Sequence, residues 1–183
     1  MIKKILFVLT VYFFAVSCTN NNYNDKIKTI DSLNTKVDTL TKQIIGYNNI
    51  IFLDRYNLMF GKIKIFGKFI TNKNLNSNMA REFNKYATLS KFYKHAAEEK
   101  DNLFNELALS KQQLQNLKHD LQKNVINADS ADSYFNIEKK IADKLFIKTN
   151  LFFSEIKEND NTFKNLSTKI DFLIDSLENT IKK

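Results

Sequence analysis

The side chains most often used in catalysis and metal binding are few and widely separated in this sequence. The chain has two histidines, His95 and His119, and one cysteine, Cys18. Both histidines fall in one predicted helix, where they are 24 residues apart, about 36 Å, which is too far to share a metal ion. No HExxH, GxSxG, CxxC or phosphate-loop motif is present. We therefore expect no catalytic residues, no metal site and no cofactor.

The lone cysteine follows a segment that is typical of an export signal. Lys3 and Lys4 precede an uncharged run over 5–16, which has the length of a signal-peptide core and is shorter than the about 20 residues that span a bilayer. Small residues Ala15 and Ser17 lie just before Cys18, as a cleavage site requires. We predict that residues 1–17 are a signal peptide and are removed on export.

The stretch Ala15-Val16-Ser17-Cys18 resembles the lipobox of bacterial lipoproteins, although that family usually has Leu at the position of Ala15. The resemblance implies cleavage just before Cys18 and a diacylglyceryl group on its thiol. Two or more acyl chains give stable anchoring, so residues 18–25 are expected to be a lipidated tether. The alternative is a free thiol without a role.

The position after the cysteine bears on the destination of such a lipoprotein. The Asp that retains enteric lipoproteins in the inner membrane is absent, because residue 19 is Thr. The resemblance therefore implies an exported protein that is anchored to the outer membrane. Its orientation, facing the periplasm or the cell surface, stays open.

The composition favours long helices. The chain of 183 residues has no proline and three glycines, too few turn formers for a fold with many short elements. Three periodic segments, about 24–71, 79–124 and 134–182, have similar lengths of roughly 70 Å as helices. Their short connections favour an all-α, elongated antiparallel three-helix bundle over residues 26–183. A dimeric coiled coil of open helices is the alternative.

Heptad spacing defines the expected buried faces. The first segment alternates steps of three and four residues through Ile30, Leu33, Val37, Leu40, Ile44, Tyr47 and Ile51. Beyond Ile51 a polar set keeps this period, and we expect one helix to continue to about residue 71 with a wider buried surface. In the third segment the seam crosses 159–161 without a skip. This predicts an unbroken helix with Asn159 at a core position.

Positive charge is concentrated in residues 62–95, which we call the basic tip. It contains eight Lys or Arg and one acidic residue, Glu82, while the whole chain has a net charge of +8. In the predicted bundle the basic tip lies at the end farthest from Cys18. A cluster of positive charge attracts anions. We predict that five of these residues bind an anionic envelope polymer, glycan, lipid or protein: Lys64, Lys68, Lys73, Arg81 and Lys85.

These observations favour a non-enzymatic, membrane-anchored lipoprotein of the cell envelope that acts as a structural spacer or interaction rod. The alternative is a surface-exposed adhesin or ligand-binding lipoprotein that uses the basic tip. A hydrolase or inhibitor whose site the sequence does not reveal is a third hypothesis. Export makes nucleic acid an unsuitable partner.

Overall fold

The computed structural model describes residues 23–70 and 77–181. These residues form four α-helices and no β-strand. The helices are α1 (Asn24–Ile45), α2 (Asn49–Ile70), α3 (Ser77–Gln122) and α4 (Ala128–Ile181). The prediction of an all-α bundle is confirmed. Helix α1 begins within the segment that was expected to be the tether.

The helices pack in an up-down-up order, with α1 and α2 following one another along α3. Helix α3 is antiparallel to both, because residue numbers fall along α3 as those of its partners rise. The contacts that show this are Asp31–Lys118, Asp38–Lys111, Asn49–Asp101 and Phe66–Phe83. Helix α4 runs parallel to α1 and α2, since Lys26 pairs with Asp132 at 2.7 Å and Lys62 pairs with Asp171 at 2.6 Å.

The first predicted helix is two helices, so the prediction of one helix from 24 to 71 is wrong. Helix α1 ends at Ile45, and α2 starts at Asn49 after a turn that includes Gly46. The Asn48 side chain caps α2, because its Oδ1 accepts the backbone N–H of Ile50 at 2.9 Å. Glycine weakens a helix interior, and asparagine stabilises a helix start. Gly46 and Asn48 together therefore favour the end of one helix and the start of a new helix at Asn49.

The break also moves the buried face of the chain by one residue. Ile44 is buried in α1, and the next fully buried position is Phe52, followed at seven-residue intervals by Met59 and Phe66. The prediction that Ile51 continues the core is wrong, because 47% of this residue is exposed. The wider buried surface expected after residue 51 is not formed either, since among residues 23–70 and 77–181 only α3 and α4 pack against α2.

The turn between α3 and α4 is built from two asparagines. Asn124 has a positive φ of 52°, and beside it the N–H of Val125 reaches back to the carbonyl of Asp120 at 3.2 Å. This arrangement closes the end of a helix, usually with glycine and sometimes with asparagine. Asn127 then caps α4, because its Oδ1 accepts the N–H of Ser130 at 2.8 Å. The chain therefore reverses within a few residues.

Helix α4 passes through residues 159–161 without interruption, as predicted. Asn159 is half-buried, and the polar contact between helices is made by its neighbour Asp160. Asp160 accepts a hydrogen bond from the Tyr93 hydroxyl at 2.8 Å and forms an ion pair with Arg55. The Arg55 guanidinium also lies 5.4 Å from the ring centre of Phe163. This Arg55–Tyr93–Asp160 node joins α2, α3 and α4.

Candidate functional site

The predicted binding residues on α2 are exposed. Lys64 is on the outer surface, with its Nζ 4.5 Å from the ring centre of Phe60. Lys68 is exposed in the last turn of the same helix. Lys73 and Cys18 lie outside the described residues, so their predicted roles stay predictions. Lys64 and Lys68 therefore place two cations on the surface of one helix, with Lys64 over an aromatic ring.

The other two predicted residues lie on α3, around the only acidic side chain of the basic tip. Lys85 donates a hydrogen bond to Glu82 at 3.1 Å, and Arg81 Nε lies 3.7 Å from the same carboxylate oxygen. Lys169 of α4 approaches the other oxygen at 4.0 Å. The hydrogen bond from Lys85 lowers the pKa of Glu82, and the charges of Lys169 and Arg81 also lower it, while burial opposes them. The Glu82 carboxylate thus lies within 4.0 Å of three cationic side chains.

A shallow cavity of about 860 Å³ adjoins this cluster. Arg81 and Lys85 line it, together with polar side chains of α3 and α4 and the ring of Phe92. The polar residues are Ser77, Asn84, Thr88, Asn159 and Thr162. Ala80 and Leu89 complete the lining, which is mainly apolar, so two cations and several polar groups border an apolar surface that suits an anionic ligand with an apolar part. Lys64 and Lys68 do not line this cavity, so the four predicted residues that the structure describes fall into two pairs.

A second cavity, of about 530 Å³, lies between the start of α3 and the end of α4. Its lining is mainly apolar and includes Met79, Leu173 and Phe172, a ring that is 73% exposed. Glu82 and Lys169 also line it. The hydrogen bond between Glu82 and Lys85 therefore lies between the two cavities. This end of the bundle offers an apolar surface directly beside a cationic one.

Sequence reasoning missed the contribution of α4 to this site. Lys169, Asn159 and Thr162 are far from the basic tip in the sequence and reach it because α4 runs back along α3. The matched lengths of the second and third predicted helices indicated that the end of the third helix would lie beside the start of the second. To predict which residues of α4 lie beside the basic tip, the register between α3 and α4 must be known, and this depends on the turn at Asn124 and Asn127.

The side chains that could ligate a metal ion are scattered over residues 23–70 and 77–181. No group of three His, Cys, Asp or Glu side chains that could hold a metal ion forms there. His95 and His119 are both exposed. Within the same residues, no helix is long and apolar enough to cross a membrane.

The fold and this site define an all-α bundle with a cationic, cavity-bearing end. No protein-family model, curated protein or solved structure matches the chain.

Proposed function

We propose that this chain is a membrane-anchored, non-enzymatic lipoprotein of the cell envelope that acts as a structural spacer or interaction rod. The direction of the bundle supports the proposal. Helix α1 starts at Asn24, close to Cys18 in the sequence, and α2 ends and α3 begins at the other end of the bundle. A lipid on Cys18 would hold one end at the outer membrane, facing the periplasm or the cell surface. The basic tip would then lie about 70 Å away, the length of the 46 residues of α3.

The anchor is tested by labelling cells with a fatty-acid analogue. The native chain should incorporate the label and remain in the membrane fraction, and Cys18→Ala should lose both properties because the thiol is the acceptor. Ser32→Ala is the control, since Ser32 is exposed on α1 and should leave labelling unchanged. Equal labelling of the native chain and Cys18→Ala would contradict the proposal.

A second function, anion binding at the basic tip, is supported by the cavity that Arg81 and Lys85 line with the amides and hydroxyls of α3 and α4. Its partners would be an anionic glycan, an envelope polymer or a lipid head group, as for a surface adhesin. Exposed charges are screened within about 10 Å at 0.1 M salt, so this binding should weaken as salt is added.

The binding test compares three double variants that remove the same charge. Arg81→Gln with Lys85→Gln should reduce retention on heparin and anionic liposomes by about tenfold or more, if each charge contributes about 1 kcal/mol. Lys64→Gln with Lys68→Gln tests the α2 surface. Lys123→Gln with Lys140→Gln changes two exposed residues away from the tip and should have little effect. Equal loss in all three would show that only net charge matters.

A further inference from the structure

Gly61 lies in the middle of α2 although the packing of the bundle does not require glycine there. A Cβ atom added at Gly61 would meet no heavy atom within 4 Å. Glycine in a helix interior costs about 1 kcal/mol relative to alanine. The same is true of Gly67, but the two glycines have different surroundings. Gly61 belongs to a regular pattern of outward-facing residues that Gly67 does not share.

This pattern is a second heptad seam on the solvent side of α2. Ile51, Leu58 and Ile65 recur every seven residues and are 47%, 49% and 38% exposed. Asp54, Gly61 and Lys68 also recur every seven residues and are all exposed. When the apolar set and the second set are combined, successive residues are alternately three and four positions apart, as in a helix that packs against another helix. We call these six residues the outer seam.

The outer seam is distinct from the seam that holds the bundle together. Phe52, Met59 and Phe66 face the core and are at most 2% exposed. Among residues 23–70 and 77–181, no helix buries the apolar members of the outer seam, since nearly half of Ile51 and Leu58 remains in contact with solvent. Covering them with another helix would remove this apolar area from water at about 25 cal/mol per Å².

We infer that the outer seam is a self-association surface, on which α2 of a second copy docks antiparallel and crosses at Gly61. The inference goes beyond the proposed function and does not depend on lipidation of Cys18.

Charge complementarity identifies a second copy as the occupant and sets its direction. Asp54 and Lys68 lie at equal distances on either side of Gly61, seven residues away in each case. An antiparallel crossing at Gly61 therefore places Asp54 of each copy opposite Lys68 of the other. A parallel pairing would instead place Asp54 against Asp54 and Lys68 against Lys68, and like charges in contact oppose association.

The glycine fits the centre of such a crossing. Without a side chain at Gly61 the two helix backbones approach closely, and Leu58 and Ile65 of both copies pack beside the contact. The contact uses only the outward-facing part of the 22 residues of α2 from each copy, because its other face packs in the core. Stable interfaces use about 20–30 residues on each side, so we expect a weak, reversible dimer.

Disulfide trapping tests the geometry in the full chain with Cys18→Ser, which removes the only other thiol. Gly61→Cys should crosslink to itself on mild oxidation, because the two copies meet at this residue. Asp54→Cys should not crosslink to itself, because its two copies would be about 21 Å apart along the helix, whereas a disulfide requires Cα atoms within about 7 Å. Mixing Asp54→Cys with Lys68→Cys chains should give a mixed dimer.

Charge exchange tests the pairing independently of cysteine chemistry. Asp54→Lys alone and Lys68→Asp alone should each weaken the dimer about tenfold or more in sedimentation experiments, because like charges then face each other. Combining the two substitutions restores opposite charges and should restore association. All these residues are exposed, so circular dichroism should show unchanged helicity.

Gly61→Gln and Gly67→Gln form a matched pair. Both replace an exposed helical glycine with a better helix former and should raise the melting temperature. Only Gly61→Gln should weaken the dimer. The inference is overturned if the chain stays monomeric at the highest concentration reached, if Asp54→Cys crosslinks as readily as Gly61→Cys, or if the double charge exchange fails to restore association.

Discussion

Asp160 is the residue whose charge connects three helices, through Tyr93 and Arg55. Asp160→Asn should lower the free energy of unfolding by about 1–2 kcal/mol, because it weakens charge-assisted hydrogen bonds at a half-buried site. Asp143→Asn is the control, since it removes the carboxylate of the exposed Lys139–Asp143 pair and should cost less than about 0.5 kcal/mol. Urea unfolding followed by circular dichroism measures both. Equal losses would show that the half-buried node adds no more stability than an exposed ion pair does.

Tyr93 should make stability depend on alkaline pH. Burial raises the pKa of its hydroxyl, and so do the hydrogen bond to Asp160 and the charge of that carboxylate. The unfolded chain releases this proton near pH 10, whereas the folded protein retains it. The contribution of Tyr93 is therefore complete below about pH 10 and is lost as the pH rises further. Tyr93→Phe should flatten the stability profile there, and Tyr134→Phe, at an exposed position, should not.

At the scale of elements, asparagines that cap helices should contribute more to the stability of the fold than asparagines at exposed positions inside helices. Asn127→Ala should lower the free energy of unfolding by about 1 kcal/mol, because it removes the side chain that accepts the N–H of Ser130. Asn136→Ala changes an exposed residue inside α4 and should be neutral or slightly stabilising, since alanine is the better helix former. Thermal unfolding distinguishes these outcomes. A loss at both positions would contradict the assignment of Asn127 as the cap.

Heptad spacing predicted the helical class and most of the core, because burial follows helical period directly. It identified Ile30 and Ile44 in the first segment, and it predicted α4 as unbroken. It failed at Gly46, because glycine inside a periodic pattern can be tolerated or can end a helix. The choice depended on whether Asn48 formed a cap, which the period does not show. The buried face of α2 was therefore predicted one residue early, at Ile51.

The candidate site was predictable only where its residues are neighbours in sequence. Arg81, Glu82 and Lys85 stand together in the chain, so the basic tip could be identified from charge alone. The pairing of Glu82 with Lys169 depends on how α3 and α4 align. The separation of Lys64 from Arg81 depends on which side of each helix faces outward. Both are properties of packing.

The whole molecule should be elongated in solution. Helix α4 has 54 residues and is about 80 Å long. A compact domain of similar size has a radius of gyration of about 15 Å, and the measured value should lie well above it. Small-angle scattering at several concentrations checks this, with the lowest concentration reporting the single copy. A value near that of a compact domain would contradict the extended bundle.

The break at Gly46–Asn48 has a mechanical consequence for this elongated molecule. A force applied between the start of α1 and the connection after α2 follows the backbone of α1, the break and α2. Helices α3 and α4 lie beside this path and are unbroken. We expect the force to reach them only through their side-chain contacts with α1 and α2. We expect extension along this path to begin at the break, because its residues lack the continuous hydrogen bonds of a helix. Under such a force, the break should therefore lengthen before α3 and α4 deform.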